Sequence, residues 1–66
     1  MRLRINGEDV LIDAHKTIME LVCGRGLRPE RVVVEHNLRI VPREAWPETI
    51  LNENDTVEII GFFGGG

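Results

Sequence analysis

The groups best placed to do chemistry stand at the end of the chain, in "GFFGGG", Gly61 to Gly66. Glycines without side chains can pass through a channel too narrow for any other residue, and Gly64, Gly65 and Gly66 would carry the carboxylate of Gly66 to a partner's reactive centre. A glycine run can also be a frayed end. Here, however, it continues directly from an apolar segment through Phe62 and Phe63, two rings that are costly to leave in water unless something covers them. The expected chemistry is that of a terminal carboxylate. Gly66 is the reacting residue, Gly64 and Gly65 form a slender arm, and Ile60, Phe62 and Phe63 are the candidate docking contacts.

No other residue type builds a site. Cys23 is the single cysteine, and a nucleophilic thiol needs a neighbour that lowers its pKa, for which Arg25 is a weak candidate. It is read as a partly buried apolar side chain near a helix end. His15 and His36 lie far apart in the chain without an acid or nucleophile at an informative spacing, and both are read as surface or turn histidines. Asp9, Asp13, Glu44 and Glu48 show no paired-carboxylate pattern and are read as solvated surface. The final glycines have no lysine or helix after them, which excludes a phosphate-binding loop. The expectation is no catalytic residue and no metal site.

Composition narrows the class further. The chain has 66 residues, enough for one domain whose core supplies only about 3–5 kcal/mol of net stability. With 42% hydrophobic and 29% charged residues of mixed sign, it reads as folded rather than disordered. Net charge is −3, and seven arginines and one lysine are scattered among eleven acids, so there is no electrostatic footprint for nucleic acid. A lone cysteine, no signal-peptide pattern and no apolar run of membrane-span length point to a reducing, cytoplasmic setting.

Local patterns say which elements must position the terminus. In "MRLRI" apolar and basic residues alternate as in a half-buried strand, and Asn6-Gly7 supplies a hairpin turn into "EDVLID". Thr17 and Glu20 match a capping box for a short helix with Ile18, Leu21 and Val22 on one side, and Gly24 and Gly26 are available to end it. Arg28-Pro29 forces an extended or turned connection. "RVVVEHN" reads as a strand, "RIV" as a shorter one stopping at Pro42, and "PREAWPET" as a helical turn anchored by Trp46. After the "NEND" turn, with Asn54 suited to the left-handed conformation, "TVEII" is the last strand, with Val57 and Ile59 on one face. A helix across one face of a mixed sheet buries these faces economically. Periodicity alone supports a small α+β domain. The hairpin-helix-strands order suggests a ubiquitin-like β-grasp of four to five strands with one main helix, a choice of topology that rests partly on the chain's family resemblance, over a single domain 1–66 whose tail, 63–66, is expected to be flexible.

The second half, Glu35 to Gly66, resembles the sulfur carrier proteins of thiamine thiazole biosynthesis, the ThiS family. The likeness rests on Asn37, Val41-Pro42-Arg43, Trp46, the Asp55 to Glu58 strand and Gly65-Gly66. The first half agrees more loosely, through Asn6-Gly7 and "TIMELV". Family members usually place glycine before the aspartate of the last turn, where this chain has Asn54; asparagine tolerates the same backbone conformation, so the turn should survive. His36 stands where an apolar residue is frequent and reads as a strand end facing solvent.

The resemblance implies a mechanism. An E1-like adenylyltransferase of the ThiF type would use ATP and Mg to adenylate Gly66. A persulfide, supplied by a cysteine desulfurase or related donor, would displace AMP and lead to a terminal thiocarboxylate. Docked on thiazole synthase of the ThiG type, the carrier would then give up its sulfur. No cofactor is bound by the carrier itself, and nucleic acid and membrane are not partners. Alternatives with the same ending are the sulfur carrier subunit of molybdopterin synthase, a ubiquitin-like protein modifier and an interaction domain with an inert tail.

Overall fold

The computed structural model describes residues 1–61. The arm and both phenylalanines, residues 62–66, lie outside them, and with them the expectation of a flexible tail.

Alternation makes β1, Arg2–Ile5, in which Leu3 and Ile5 are buried and both arginines exposed. Asn6 and Gly7 have φ of 50° and 84°, the pair of positive values a two-residue type I′ turn demands. The chain then returns antiparallel as β2, Glu8–Leu11, with Ile5 opposite Glu8 and Arg2 opposite Leu11.

The helix α1, Ile18–Gly24, starts at a complete capping box: Thr17 Oγ1 accepts from the Glu20 N–H at 3.1 Å, and Glu20 Oε1 accepts from the Thr17 N–H at 2.9 Å. Those bonds hold the Glu20 carboxyl below its ordinary pKa. At the other end Gly26, φ 76°, donates to the Cys23 carbonyl and Leu27 to that of Val22, the paired closure that a left-handed residue after a helix permits. Ile18, Leu21 and Val22 form the buried side. Cys23 is exposed, not partly buried as its type suggests, because positions 21 and 22 take the inward face of so short a helix.

A 3₁₀ turn, Pro29–Arg31, leads into β3, Val32–His36, and Asn37 and Leu38 turn the chain into β4, Arg39–Ile40. Both turn residues have positive φ, 49° and 70°. A second 3₁₀ segment, Arg43–Glu48, is anchored as expected by Trp46, which is 1% exposed and whose indole N–H donates to the Val41 carbonyl at 2.8 Å. Asn54, φ 68°, then turns the chain into β5, Thr56–Gly61.

The strands form one sheet in the order β2-β1-β5-β3-β4, with β5 parallel to β1 and antiparallel to β3. Leu3, Ile5, Val32, Val34 and Val57 turn one face toward Ile18, Leu21 and Val22 of α1, and Trp46 and Leu51 complete the core. This is the expected mixed β-grasp sheet under one helix. It places the strand that leads to the C-terminus at the centre of the sheet.

Candidate functional site

β5 begins at a cluster of hydrogen bonds around Asp55 and Asn37. Asp55, 9% exposed, accepts hydrogen bonds from His36 Nε2 at 2.7 Å, from the Asn52 backbone N–H at 2.8 Å and from Asn37 Nδ2 at 3.1 Å. The Asn37 side-chain oxygen accepts from the Thr56 N–H at 2.9 Å, the Asn37 N–H donates to the Thr56 carbonyl at 2.8 Å, and the Arg4 N–H donates to the Asp55 carbonyl at 2.9 Å. Burial alone would push the Asp55 carboxyl upward, but the bonds from His36, Asn52 and Asn37 outweigh it and hold the pKa below the ordinary value. A carboxylate this buried needs donors on several sides, and two separate segments, His36-Asn37 and Asn52, supply them.

His36 is therefore not a strand end facing solvent, as its sequence position suggests. Its side chain is 16% exposed and lies against Asp55. The signal was absent because the two residues are 19 positions apart and meet only when β3 and β5 pair. His15, by contrast, is an exposed turn residue with φ 65°.

Farther along, support thins. β1 pairs with β5 only at Arg4 opposite Thr56 and Ile5 opposite Val57. Asn6 then substitutes for a strand: its N–H donates to the Val57 carbonyl at 2.9 Å and its Oδ1 accepts from the Ile59 N–H at 2.8 Å. Beyond Ile59 only β3 remains, and its register ends with Val32 opposite Gly61. The strand is thus held rigidly at its start and from one side at its end, where it hands the chain to residues 62–66.

Of the residues read as docking contacts, Ile60 is described. It lies on the sheet face away from α1, opposite Val33, and is 54% exposed. On that face Glu58 stands directly across from Glu35, which in turn stands across from Ile40, itself 70% exposed. The reacting residue Gly66, the arm Gly64 and Gly65, and Phe62 and Phe63 lie outside the described residues. Among the described residues no three His, Cys, Asp or Glu side chains come together in a way that could hold a metal, and no helix is long and apolar enough to cross a membrane.

Comparison with known proteins decides the family. A model of the ThiS family matches residues 3–66. The chain belongs to the ThiS family. It is 37% identical to the sulfur carrier protein ThiS of Bacillus subtilis over 65 residues, covering 97% of this chain and 98% of that one. The crystal structure of the thiamine biosynthesis protein ThiS from Geobacter metallireducens superposes with a TM-score of 0.85 at 33% identity, with both chains covered in full. The chain is also 38% identical over 66 residues to a thiazole synthase of Magnetococcus marinus, and it spans 20% of that protein's length.

Proposed function

We propose that this chain is a sulfur carrier of thiamine biosynthesis, a single domain that presents the carboxylate of Gly66 to partner enzymes and does no catalysis itself. The observation that carries this reading is its likeness to the Bacillus subtilis sulfur carrier along nearly the whole of both chains. The architecture suits a carrier, since a central strand, fixed at Asp55, leads toward the terminus and leaves Ile60 exposed beside it.

A carboxylate is a poor electrophile because its leaving group would be an oxide. An E1-like adenylyltransferase of the ThiF type joins the Gly66 carboxylate to AMP and releases pyrophosphate from ATP–Mg. The terminal sulfur of a persulfide, from a cysteine desulfurase or related donor, attacks the acyl carbon and expels AMP. A thiol then reduces the resulting acyl disulfide, leaving a thiocarboxylate on Gly66 and a disulfide on the reducing partner. The sulfur is now nucleophilic and tethered. Thiazole synthase of the ThiG type is the acceptor, a pairing supported by the match of this chain to a fifth of one protein of that name. Through all these steps the chain binds no cofactor. In this reading Ile60, Phe62 and Phe63 are the docking contacts, Gly64 and Gly65 the slender arm and Gly66 the carrier group; the cytoplasm, with ATP and reduced thiols, is the setting this chemistry needs.

The test is to co-express the chain with its activating enzyme and weigh it intact. A species in which sulfur has replaced one oxygen is expected. Its absence, or adducts joined to lysines of other proteins in its place, would overturn the carrier reading.

A further inference from the structure

We propose that the stretch Ile59 to Gly61 is a docking edge for one extended strand of another polypeptide. That strand pairs with the Ile59 carbonyl and the Gly61 N–H, and it sets one apolar and one acidic side chain in the groove between β5 and the end of α1.

The inference starts from the backbone. Successive strand residues turn their N–H and C=O groups to opposite sides. In β5, Asp55, Val57 and Ile59 turn theirs toward β1: the Arg4 N–H donates to the Asp55 carbonyl at 2.9 Å, the Asn6 N–H to the Val57 carbonyl at 2.9 Å, and the Ile59 N–H to Asn6 Oδ1 at 2.8 Å. Thr56 turns the other way, and its carbonyl accepts from the Asn37 N–H at the end of β3. Arg4 thus stands in the rung around Thr56, and Asn6, with its backbone N–H and its side-chain oxygen, forms the next around Glu58. The third rung, around Ile60, is made of the Ile59 carbonyl and the Gly61 N–H, and among the described residues neither has a partner. β1 cannot supply one, because the chain turns back at Asn6 and Gly7. A β carbon built on Gly7 would meet nothing within 4 Å, so the space in line with β1 is open. A strand entering there in the direction of β1 reaches both groups with a single residue, whose N–H donates to Ile59 and whose carbonyl accepts from Gly61.

Side-chain directions follow from that pairing. The central residue of the incoming strand lies beside Ile60 on the outer face, and its two neighbours point to the side of α1. On that side is a groove of about 300 Å³ lined by Asn6, Arg25, Leu27, Val32, Ile59 and Gly61. An apolar cavity of about 150 Å³ holds a benzene molecule, so there is room for a leucine-sized side chain and part of a second. Val32 is buried and Leu27 and Ile59 are half-buried, which makes one neighbour apolar. Arg25 is exposed and has no ion pair among the described residues, which makes the other acidic. The partner strand therefore carries an apolar and an acidic residue two positions apart.

The probe is the peptide acetyl-Thr-Leu-Val-Glu-Thr-amide, titrated into the full isotope-labelled chain. Saturable amide shifts are expected at Asn6, Leu27, Ile59 and Gly61, with a Kd on the order of 1 mM. Methylating the valine nitrogen of the peptide removes the donor to Ile59 and should weaken binding about tenfold. Arg25→Glu should weaken it about fivefold, and a peptide with lysine in place of glutamate should recover the loss. Shifts confined to the outer face around Ile40 or to β2, equal binding of the methylated peptide, or no saturable shift would overturn the proposal. So would contacts to Leu27 from a second copy or from the chain's own residues beyond Gly61, since the edge would then have a different occupant. The proposal does not rest on the carrier reading, and none of these results bears on whether Gly66 accepts sulfur.

Discussion

At Thr56, where β5 begins, the backbone is gripped from both sides: Asn37 bonds its N–H and its carbonyl, while Arg4 and the Asp55 cluster fix the residue before it. At Gly61, where the described strand ends, only Val32 stands opposite. The contrast separates two roles along one strand. The start is fixed by bonds from both neighbouring strands, and near the end Ile60 is exposed on the sheet face away from α1. A carrier whose reacting group must enter several different enzymes needs both, since a loose base would spread the terminus over many directions and a buried end could not be reached.

The largest effect is expected at the gripped end. Asp55→Ala leaves the Asn52 N–H, the Asn37 amide and His36 without their shared acceptor, and should cost about 2–3 kcal/mol in urea unfolding. If the loss is under about 0.5 kcal/mol, the cluster does not anchor β5. The same carboxyl has a pH signature. Its folded pKa lies below the unfolded value of about 3.9, so the unfolded state binds more protons in that window. Its contribution is complete above that value and is lost as pH falls through the folded one. Asp55→Asn should flatten the acid limb of the stability curve, and an unchanged limb would show that Asp55 is not the group responsible.

At the open end the effect should move from stability to docking. Ile60→Ala, at a half-exposed position, should change unfolding by no more than about 0.5 kcal/mol. It should lower kcat/KM for loading by the activating enzyme about tenfold, the scale of one buried interface anchor. An equal loss of stability would make Ile60 a packing residue instead. Between the two ends, Asn6→Gly keeps the positive φ of the turn but removes the acceptor for the Ile59 N–H, and should cost about 1 kcal/mol. Smallest of all, Glu58→Thr should raise stability by about 0.2–1 kcal/mol, because it removes a like charge directly across from Glu35.

The same division marks what the sequence could and could not reveal. Features written in adjacent residues were readable: the Asn6-Gly7 hairpin, the Thr17/Glu20 capping box, the turn at Asn54 and the anchoring role of Trp46. Each depends on chemistry within a few positions. The helix-spanned mixed sheet followed from those elements together with the family resemblance, but the sheet order did not follow from periodicity, which says nothing about which strands become neighbours. The long-range part of the Asp55 cluster was invisible for the same reason, since His36 and Asn37 lie 19 and 18 positions away and meet Asp55 only through strand pairing, whereas the Asn52 bond spans three positions. His36 and Cys23 were misplaced by typical residue behaviour, which burial of a carboxylate and the narrow inward face of a seven-residue helix override.

The carrier account turns on one residue, and intact-mass measurement tests it most directly. Chains ending at Gly66 and at Gly65 would each be incubated with the activating enzyme, ATP–Mg and a persulfide donor, then weighed. The account predicts that only the chain ending at Gly66 gains sulfur in place of oxygen, with both chains unfolding at the same temperature. Comparable loading of the chain that ends at Gly65 would contradict it.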